Sequence, residues 1–223
     1  MSEKNIPFET MTARYPMLSG CTESIEKSID MIVKSFASGG KLLLCGNGGS
    51  SADCDHISGE LLKGFLSKRP LSAEDKAAFS SCEDGQKLAE GLQYGLPAIP
   101  LHAFSAASTA FGNDVDPMGV YAQMVMALGR QGDVIWGIST SGNAENVYKA
   151  VLTAKARGLL TIGLTGKKPS RLSELCDVCI QVPETETYLV QELHLPVYHT
   201  ICAAVEESAV NLLRERQKSD AYR

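Results

Sequence analysis

A glycine-rich turn and a histidine–glutamate pair stand side by side in the segment Leu42–Glu60, which reads LLLCGNGGSSADCDHISGE. The pattern predicts an apolar strand, a turn and a helix that carries His56 and Glu60. Backbone N–H groups in such a turn, with the positive end of the next helix, suit a phosphate group. His56 and Glu60 share one helix face, where they can hold a metal ion or move protons. The expected substrate contacts in this turn are Asn47, Gly48, Gly49, Ser50 and Ser51.

A second turn of the same kind lies in Ile138–Asn146, which reads ISTSGNAEN and again joins a predicted strand to a predicted helix. Its hydroxyl and amide groups suit a phosphate cradle without a lysine. Two such turns at the carboxyl ends of parallel strands lie where open α/β sheets bind ligands. Neither matches the P-loop or the dinucleotide fingerprint, so nucleotide hydrolysis is not expected. The contacts expected here are Ser139, Thr140, Ser141 and Asn143.

The third group of polar residues lies on a long apolar helix near the C-terminus, in TYLVQELHLPVYHTICAAVEE. Gln191, Glu192, His194 and His199 are its candidates for chemistry, although a single histidine on such a helix is more often a core residue. Glu192 and His199 share a face, whereas Gln191 and His199 diverge by about 80° on an ideal helix. Spacing alone therefore leaves open which of the two acts with His199.

Strand-like and helix-like segments alternate along the chain, which predicts a three-layer α/β/α sandwich around a five-stranded parallel sheet. The predicted strands are Lys41–Cys45, Ala98–Leu101, Asp133–Ile138, Leu160–Leu164 and Val178–Val182. The predicted helices are Thr22–Ala37, Ser51–Gly64, Val120–Leu128, Ala144–Arg157 and Tyr188–Arg216. Residues 67–95 contain no strand pattern and are expected to form a helical insertion in a single domain spanning 1–223.

Composition excludes several classes of protein. The formal net charge is -5, so there is no basic surface that would indicate nucleic acid binding. Apolar runs are too short for a membrane span, and no signal peptide is visible. Seven cysteines, an odd number, argue against a disulfide framework. These features favour a cytoplasmic protein with reduced thiols.

With these motifs together, the chain resembles the SIS (sugar isomerase) domain family over about residues 25–207, and within it the phosphoheptose isomerases. The combination of GNGGSSADCDH with Glu60, ISTSGN, and QELH with His199 carries the resemblance. The family implies a flavodoxin-like five-stranded sheet and a homotetramer with active sites between subunits. The implied substrate is a sugar phosphate, and the implied chemistry is aldose–ketose isomerisation through an enediol.

The resemblance also implies roles for residues. Glu60 matches the general base and His199 the general acid, while the serines and threonine of the two turns match the positions that hold the sugar phosphate. The zinc ligands of several members match His56, Glu60, Gln191 and His199, so the resemblance selects Gln191 over Glu192. A nitrogen and oxygen ligand set suits Zn²⁺ or another divalent ion. Gln191 is also expected to contact substrate.

The chain departs from the family where residues contact the sugar. Gly64 replaces an arginine, Phe104 an acidic residue, Ala144 a serine and Leu189 an arginine. Lys63 is adjacent to Gly64 but points to a different side of an ideal helix. The leading hypothesis is isomerisation of sedoheptulose 7-phosphate to glycero-manno-heptose 7-phosphate. The alternatives are an isomerase of another sugar phosphate, or a non-catalytic phosphosugar-binding or DnaA initiator-associating SIS protein.

Overall fold

The computed structural model describes residues 6–220, with side chains described for 7–211. Within that range, five strands form one fully parallel sheet in the order β2-β1-β3-β4-β5. The strands are β1 Leu42–Cys45, β2 Ala98–Pro100, β3 Val134–Ile138, β4 Leu160–Thr165 and β5 Val178–Gln181. Each lies within one or two residues of its predicted position.

The helices are α1 Ile6–Arg14, α2 Thr22–Ala37, α3 Gly49–Leu62, α4 Ala73–Ala77, α5 Gly85–Gly91, α6 Ser105–Asp114, α7 Val120–Leu128, α8 Glu145–Ala156, α9 Arg171–Leu175 and α10 Thr187–Asp220. All five helices predicted from apolar periodicity are present, two of them with the predicted bounds. Of the described helices, none combines the length and apolarity needed to cross a membrane.

Apolar side chains cover both faces of the sheet. Helices α1, α2, α3 and α10 pack on one face around a core that includes Trp136. Helices α7 and α8 pack on the other face, around Ile135 and its neighbours. Because successive strand residues point to opposite faces, Ile135 and Trp136 enter different cores. The predicted three-layer α/β/α fold is confirmed.

The prediction did not include α1, α6 or α9. Helix α6 contains no buried residue, so it has no apolar stripe, and its last residues Gly112-Asn113-Asp114 have the composition of a turn. Helix α9 is only five residues long. In the segment 67–95 the structure places α4 and α5, and a single antiparallel bridge joins Pro70 to Gln93.

Candidate active site

The first glycine-rich turn connects β1 to α3 at the carboxyl edge of the sheet. Gly48 has a φ of +55°, a conformation that favours glycine. The N–H groups of Ser50 and Ser51 donate within the turn, to the carbonyls of Asn47 and Gly48 at 3.1 and 3.0 Å. Those of Gly48 and Gly49 donate to no acceptor in the described part of the chain. The two glycine N–H groups are therefore the ones open to an anion.

The second turn connects β3 to α8 at the same edge. Gly142 has a φ of +65°, and a Cβ atom there would lie 2.0 Å from the Ser170 Oγ atom, so only glycine fits. The Ser139 N–H donates to the Leu164 carbonyl at 3.0 Å, which anchors the turn to β4. The hydroxyl of Ser141 accepts from the Asn143 N–H at 3.2 Å. The turn thus has a fixed shape with several hydroxyl groups along it.

A reciprocal pair of amide hydrogen bonds joins the two turns. Asn47 Nδ2 donates to Asn146 Oδ1 at 2.8 Å, and Asn146 Nδ2 donates to Asn47 Oδ1 at 2.9 Å. The Tyr121 hydroxyl donates to the Gly46 carbonyl at 2.7 Å and so helps to fix the position of the first turn. The two turns were expected to lie at the same edge of the sheet. They are also joined there by side-chain hydrogen bonds.

Three of the predicted acid–base and metal residues converge between α3 and α10. The His56 Nε2 atom lies 3.1 Å from Glu60 Oε1 and 3.4 Å from His199 Nε2. Ligating atoms of the three residues all lie within 4.8 Å of one another. The i,i+4 spacing on α3 supplies two of them, and the packing of α10 against α3 supplies the third.

The donor set fits a tetrahedral metal ion. The two imidazole nitrogens face each other, so a cation between them can accept a lone pair from each. At the metal–nitrogen and metal–oxygen lengths of a zinc site, neighbouring ligand atoms stand about 3.3 Å apart. The separations of 3.1 and 3.4 Å match that edge length. His56, Glu60 and His199 therefore form a possible metal site.

Gln191 and Glu192 have different surroundings on α10. A Cβ atom added at Gly49 would lie 2.5 Å from Gln191 Nε2, so the amide lies directly against the start of α3. Glu192 is exposed. The structure thus places Gln191, and not Glu192, beside the first turn.

Burial changes the protonation of the groups around this cluster. Partial burial lowers the pKa of His199 below its ordinary value, and the nearby His56 lowers it further, while Glu60 opposes both effects. Burial raises the pKa of Asp53 to about 6, against opposing effects of Tyr198 and His56. Burial and Asp53 raise the pKa of Tyr198. His199 therefore loses its proton more readily than an exposed histidine.

The loop after α3 holds an aromatic ring against the cluster. The Phe65 ring lies 5.6 Å from the His199 ring, centroid to centroid. The buried Glu206 carboxylate accepts the N–H groups of Phe65, Leu66 and Ser67 at 2.7, 2.7 and 2.9 Å. Arg69, also buried, pairs with Glu206 at 3.5 Å. A buried ion pair between Glu206 on α10 and Arg69 after α3 therefore fixes the position of Phe65.

Lys63 points to the cluster, contrary to the prediction. Its Nζ atom lies 3.5 Å from Glu60 Oε2. Ideal helix geometry does not apply, because α3 ends at Leu62 and Lys63 has extended backbone angles. The neighbouring Gly64 N–H donates to Gln93 of the insertion at 3.2 Å. The cation beside Glu60 is therefore Lys63.

Sequence reasoning missed five residues of this neighbourhood: Asp53, Phe65, Asn146, Tyr198 and Glu206. Asn146 and Tyr198 lay inside the quoted motifs, but nothing in spacing indicates a partner more than 90 residues away. A carboxylate on an apolar helix was the available signal for Glu206, since buried carboxylates are rare unless paired.

Family models and known proteins match most of this chain. SIS domain models match residues 16–95 and 109–205. The phosphoheptose isomerase of Burkholderia pseudomallei strain 1710b is 38% identical over 185 residues, which span 83% of this chain and 82% of that protein.

Two solved structures agree with this similarity. A phosphoheptose isomerase from Neisseria gonorrhoeae superposes with a TM-score of 0.65 at 30% identity, over 89% of this chain and 98% of that one. A phosphoheptose isomerase from Francisella tularensis gives a TM-score of 0.72 at 28% identity, over 90% and 94%.

Proposed function

Because this chain belongs to the phosphoheptose isomerases of the SIS domain family, we propose that it interconverts sedoheptulose 7-phosphate and glycero-manno-heptose 7-phosphate. It is an aldose–ketose isomerase. The observation that carries the substrate proposal is the convergence of Glu60, His56 and His199 beside two joined anion-binding turns. A phosphate held at one place and an acid–base group at another are what an isomerase of a phosphorylated ketose needs.

Binding begins with the phosphate group. The open N–H groups of Gly48 and Gly49 and the hydroxyls of the second turn hold its oxygens. The contacts we assign to substrate are Asn47, Gly48, Gly49, Ser50, Ser51, Ser139, Thr140, Ser141, Asn143 and Gln191. Because the two turns are joined through Asn47 and Asn146, they grip the phosphate as one rigid unit.

Glu60 moves the proton between the two carbons. Its Oε1 atom faces His56 and its Oε2 atom faces Lys63, so Oε2 is the oxygen on the side away from the imidazoles. As general base it removes the proton next to the carbonyl, which gives the enediol, and returns the proton to the neighbouring carbon. In the metal-free site, His199 gives a proton to the carbonyl oxygen and takes one from the hydroxyl. A bound metal would take up the His199 nitrogen and would polarise those oxygens in its place.

We propose Zn²⁺ as the metal, held by His56, Glu60, Gln191 and His199. The geometry of the two histidines and the glutamate supports this assignment. The amide oxygen of Gln191, whose side chain lies against Gly49, would complete a nitrogen and oxygen set. When bound, Zn²⁺ acts as a Lewis acid toward the substrate oxygens. Another divalent ion of similar preference also fits these ligands.

We propose a homotetramer with sites completed by neighbouring subunits. An apolar cavity of about 520 Å³ opens between α1 and α10, and His199 and Phe65 are among its lining residues. An apolar surface next to the acid–base cluster is a natural place for a second copy to pack. We also propose the cytoplasm as its location, because all seven cysteines are free and would stay reduced there.

Sugar phosphates with five to seven carbons, tested with and without added Zn²⁺ and followed by NMR, decide the substrate. We expect conversion of sedoheptulose 7-phosphate. Glu60→Gln removes the base at nearly constant size, and we expect its turnover to fall by about 10²- to 10⁴-fold. Glu192→Gln is the matched control on exposed surface and should keep full activity.

Each outcome of this experiment has a distinct meaning. Conversion of a different sugar phosphate would replace the substrate proposal and keep the mechanism, with Gly64, Phe104 and Ala144 as changes of specificity. Binding without conversion of any sugar phosphate would reject the isomerase. Full activity of Glu60→Gln would reject Glu60 as the base.

A further inference from the structure

The ammonium group of Lys63 lies at the edge of the acid–base cluster. Its Nζ atom donates to the Gly64 carbonyl at 3.2 Å and lies 3.5 Å from Glu60 Oε2. The Lys63 side chain is 64% exposed. Because an ammonium group has three protons to donate, these two contacts leave it able to bind a further oxygen.

The insertion fixes the backbone of Lys63 on both sides. At its end, Gln93 Oε1 accepts the N–H groups of Gly64 and Arg69, each at 3.2 Å. At its start, the buried Arg69 guanidinium donates to the Lys63 carbonyl and, at 2.8 Å, to the Leu61 carbonyl. Residues 67–95 therefore hold the short connection that follows α3 in one conformation.

Close packing at Gly64 sets the direction of the Lys63 side chain. A Cβ atom at Gly64 would lie 2.4 Å from the Ser67 carbonyl oxygen and 2.6 Å from Gln93 Oε1, so the insertion packs directly against this backbone. Helix α3 ends one residue earlier, at Leu62, and Lys63 is extended with φ -133° and ψ 172°. The extended residue turns its side chain back to Glu60.

Lys63 is remote from the phosphate turns. Helix α3 has 14 residues and begins at the first turn, so its two ends are roughly 20 Å apart. Lys63 follows the far end. Since charges in solvent are largely screened beyond about 8 Å at physiological salt, Lys63 has little effect on a phosphate group in the turns. It lies instead where Glu60 meets the reacting end of the sugar.

The charge that moves in the reaction gives this ammonium group a role. When Glu60 Oε2 takes a proton from carbon, negative charge leaves the carboxylate and develops on the neighbouring oxygens of the sugar. A cation beside Oε2 is close to both places. Hydrogen bonds from a charged donor to such an oxygen are stronger than neutral ones, and they stabilise the developing charge.

We propose that Lys63 is a substrate-binding residue that donates to a sugar oxygen next to the carbon from which Glu60 removes the proton. The insertion positions it, through Gln93. The proposal rests on the isomerase function assigned above and adds a cationic contact at the reacting end of the sugar.

Lys63→Met tests the contact because it keeps the length of the side chain and removes the charge. We expect the Kd for sedoheptulose 7-phosphate, measured by calorimetry, to rise about 10-fold or more, and kcat/KM to fall at least as much. The Kd for inorganic phosphate should not change. Lys63→Arg keeps a cation and should retain most of the binding. Lys87→Met, at an exposed lysine of α5, is the matched control and should behave like the unaltered protein.

Gln93→Ala tests the role of the insertion. It removes the acceptor of the Gly64 N–H, so we expect a smaller loss of sugar phosphate affinity than in Lys63→Met. In the Lys63→Met background the same change should add little, because Gln93 acts through Lys63. Gln86→Ala, at an exposed glutamine of α5, is its control.

The outcomes separate this proposal from the isomerase function itself. Unchanged binding and kcat/KM in Lys63→Met, with folding checked by circular dichroism, would reject the contact. An equal loss of inorganic phosphate affinity would also reject it, because the effect would then be general attraction of anions. Equal effects of Gln93→Ala in both backgrounds would reject positioning by the insertion. Binding without conversion in the unaltered protein would reject the isomerase alone, since calorimetry still measures the Lys63 contact.

Discussion

His194 illustrates how far the surroundings of one residue can move its chemistry. It is fully buried on α10, beside the backbone of Thr165, and neither ring nitrogen has a partner of standard geometry among the described residues. Burial lowers its pKa to about 4. Of the four histidines it is the one whose surroundings match the core residue that a single histidine on an apolar helix usually is.

Acid should therefore weaken the fold through His194. The unfolded chain takes up this proton near pH 6.5 and the folded protein near pH 4, so the free energy of unfolding falls as the pH drops between these values. Between pH 7 and pH 5, protonation of His194 should lower the free energy of unfolding by roughly 2 kcal/mol. Urea unfolding at both pH values, at one protein concentration, should show a smaller loss in His194→Gln than in the unaltered protein. Equal losses would assign the pH dependence to other groups.

Residue spacing predicted which side chains could take part in catalysis, but it did not predict all the contacts that position them. His56 and Glu60 share a helix face in any α-helix, so their pairing could be predicted. The contact of His56 with Tyr198 spans 142 positions and exists only because α10 packs on α3. Lys63 reaches Glu60 because the helix stops one residue earlier, a boundary that sequence does not set to single-residue accuracy.

At the scale of elements, α10 stabilises the loop after α3 through Glu206. Glu206→Gln removes the charge that pairs with Arg69 and places an amide donor against backbone N–H groups. Breaking such a buried pair costs roughly 3 kcal/mol or more. We expect that loss in urea unfolding, together with lower activity because Phe65 is released from His199.

Glu207→Gln is the matched control for this prediction, because the residue is adjacent and exposed. It should unfold like the unaltered protein. A stable Glu206→Gln variant would mean that the three N–H groups find water in place of the carboxylate.

The two phosphate turns should act as a coupled unit. Asn146→Ala removes both amide hydrogen bonds to Asn47 without touching the expected substrate contacts. We expect the KM for the sugar phosphate to rise by roughly 5-fold, because about 1 kcal/mol of positioning is lost with the bridge. In a double-mutant cycle with Asn47→Ala, which also removes an expected substrate contact, the loss in the double variant should be smaller than the sum of the two single losses. Strictly additive effects would show that the two turns bind phosphate independently.

Strongly patterned elements were predictable and unpatterned ones were not. All five strands and the helices α2, α3, α7, α8 and α10 follow from periodicity. None of the residues of helix α6 is buried, so periodicity gives no signal for it. Its last residues, Gly112-Asn113-Asp114, have the composition of a turn. The bridge between the turns was also beyond prediction, although both asparagines stand in visible motifs.

For the molecule as a whole, metal binding should appear as added stability. A ligand that binds the folded state at about 100 times its Kd adds about 2.7 kcal/mol to the free energy of unfolding. Zn²⁺ added to chelator-treated protein should raise the Tm, and His56→Gln should abolish the rise. A rise of equal size in His56→Gln would place the ion elsewhere on the molecule.

His56 and His199, whose nitrogens meet at 3.4 Å, are 143 positions apart along the chain. Both phosphate turns precede α10, which brings His199 and Gln191. As the ribosome synthesises the chain, the turns emerge complete before the acid–base cluster exists. A nascent chain that holds a phosphorylated sugar would therefore be unable to form an enediol. We expect reactivity to begin only when the last helix docks, so unfinished copies of the chain would be inert.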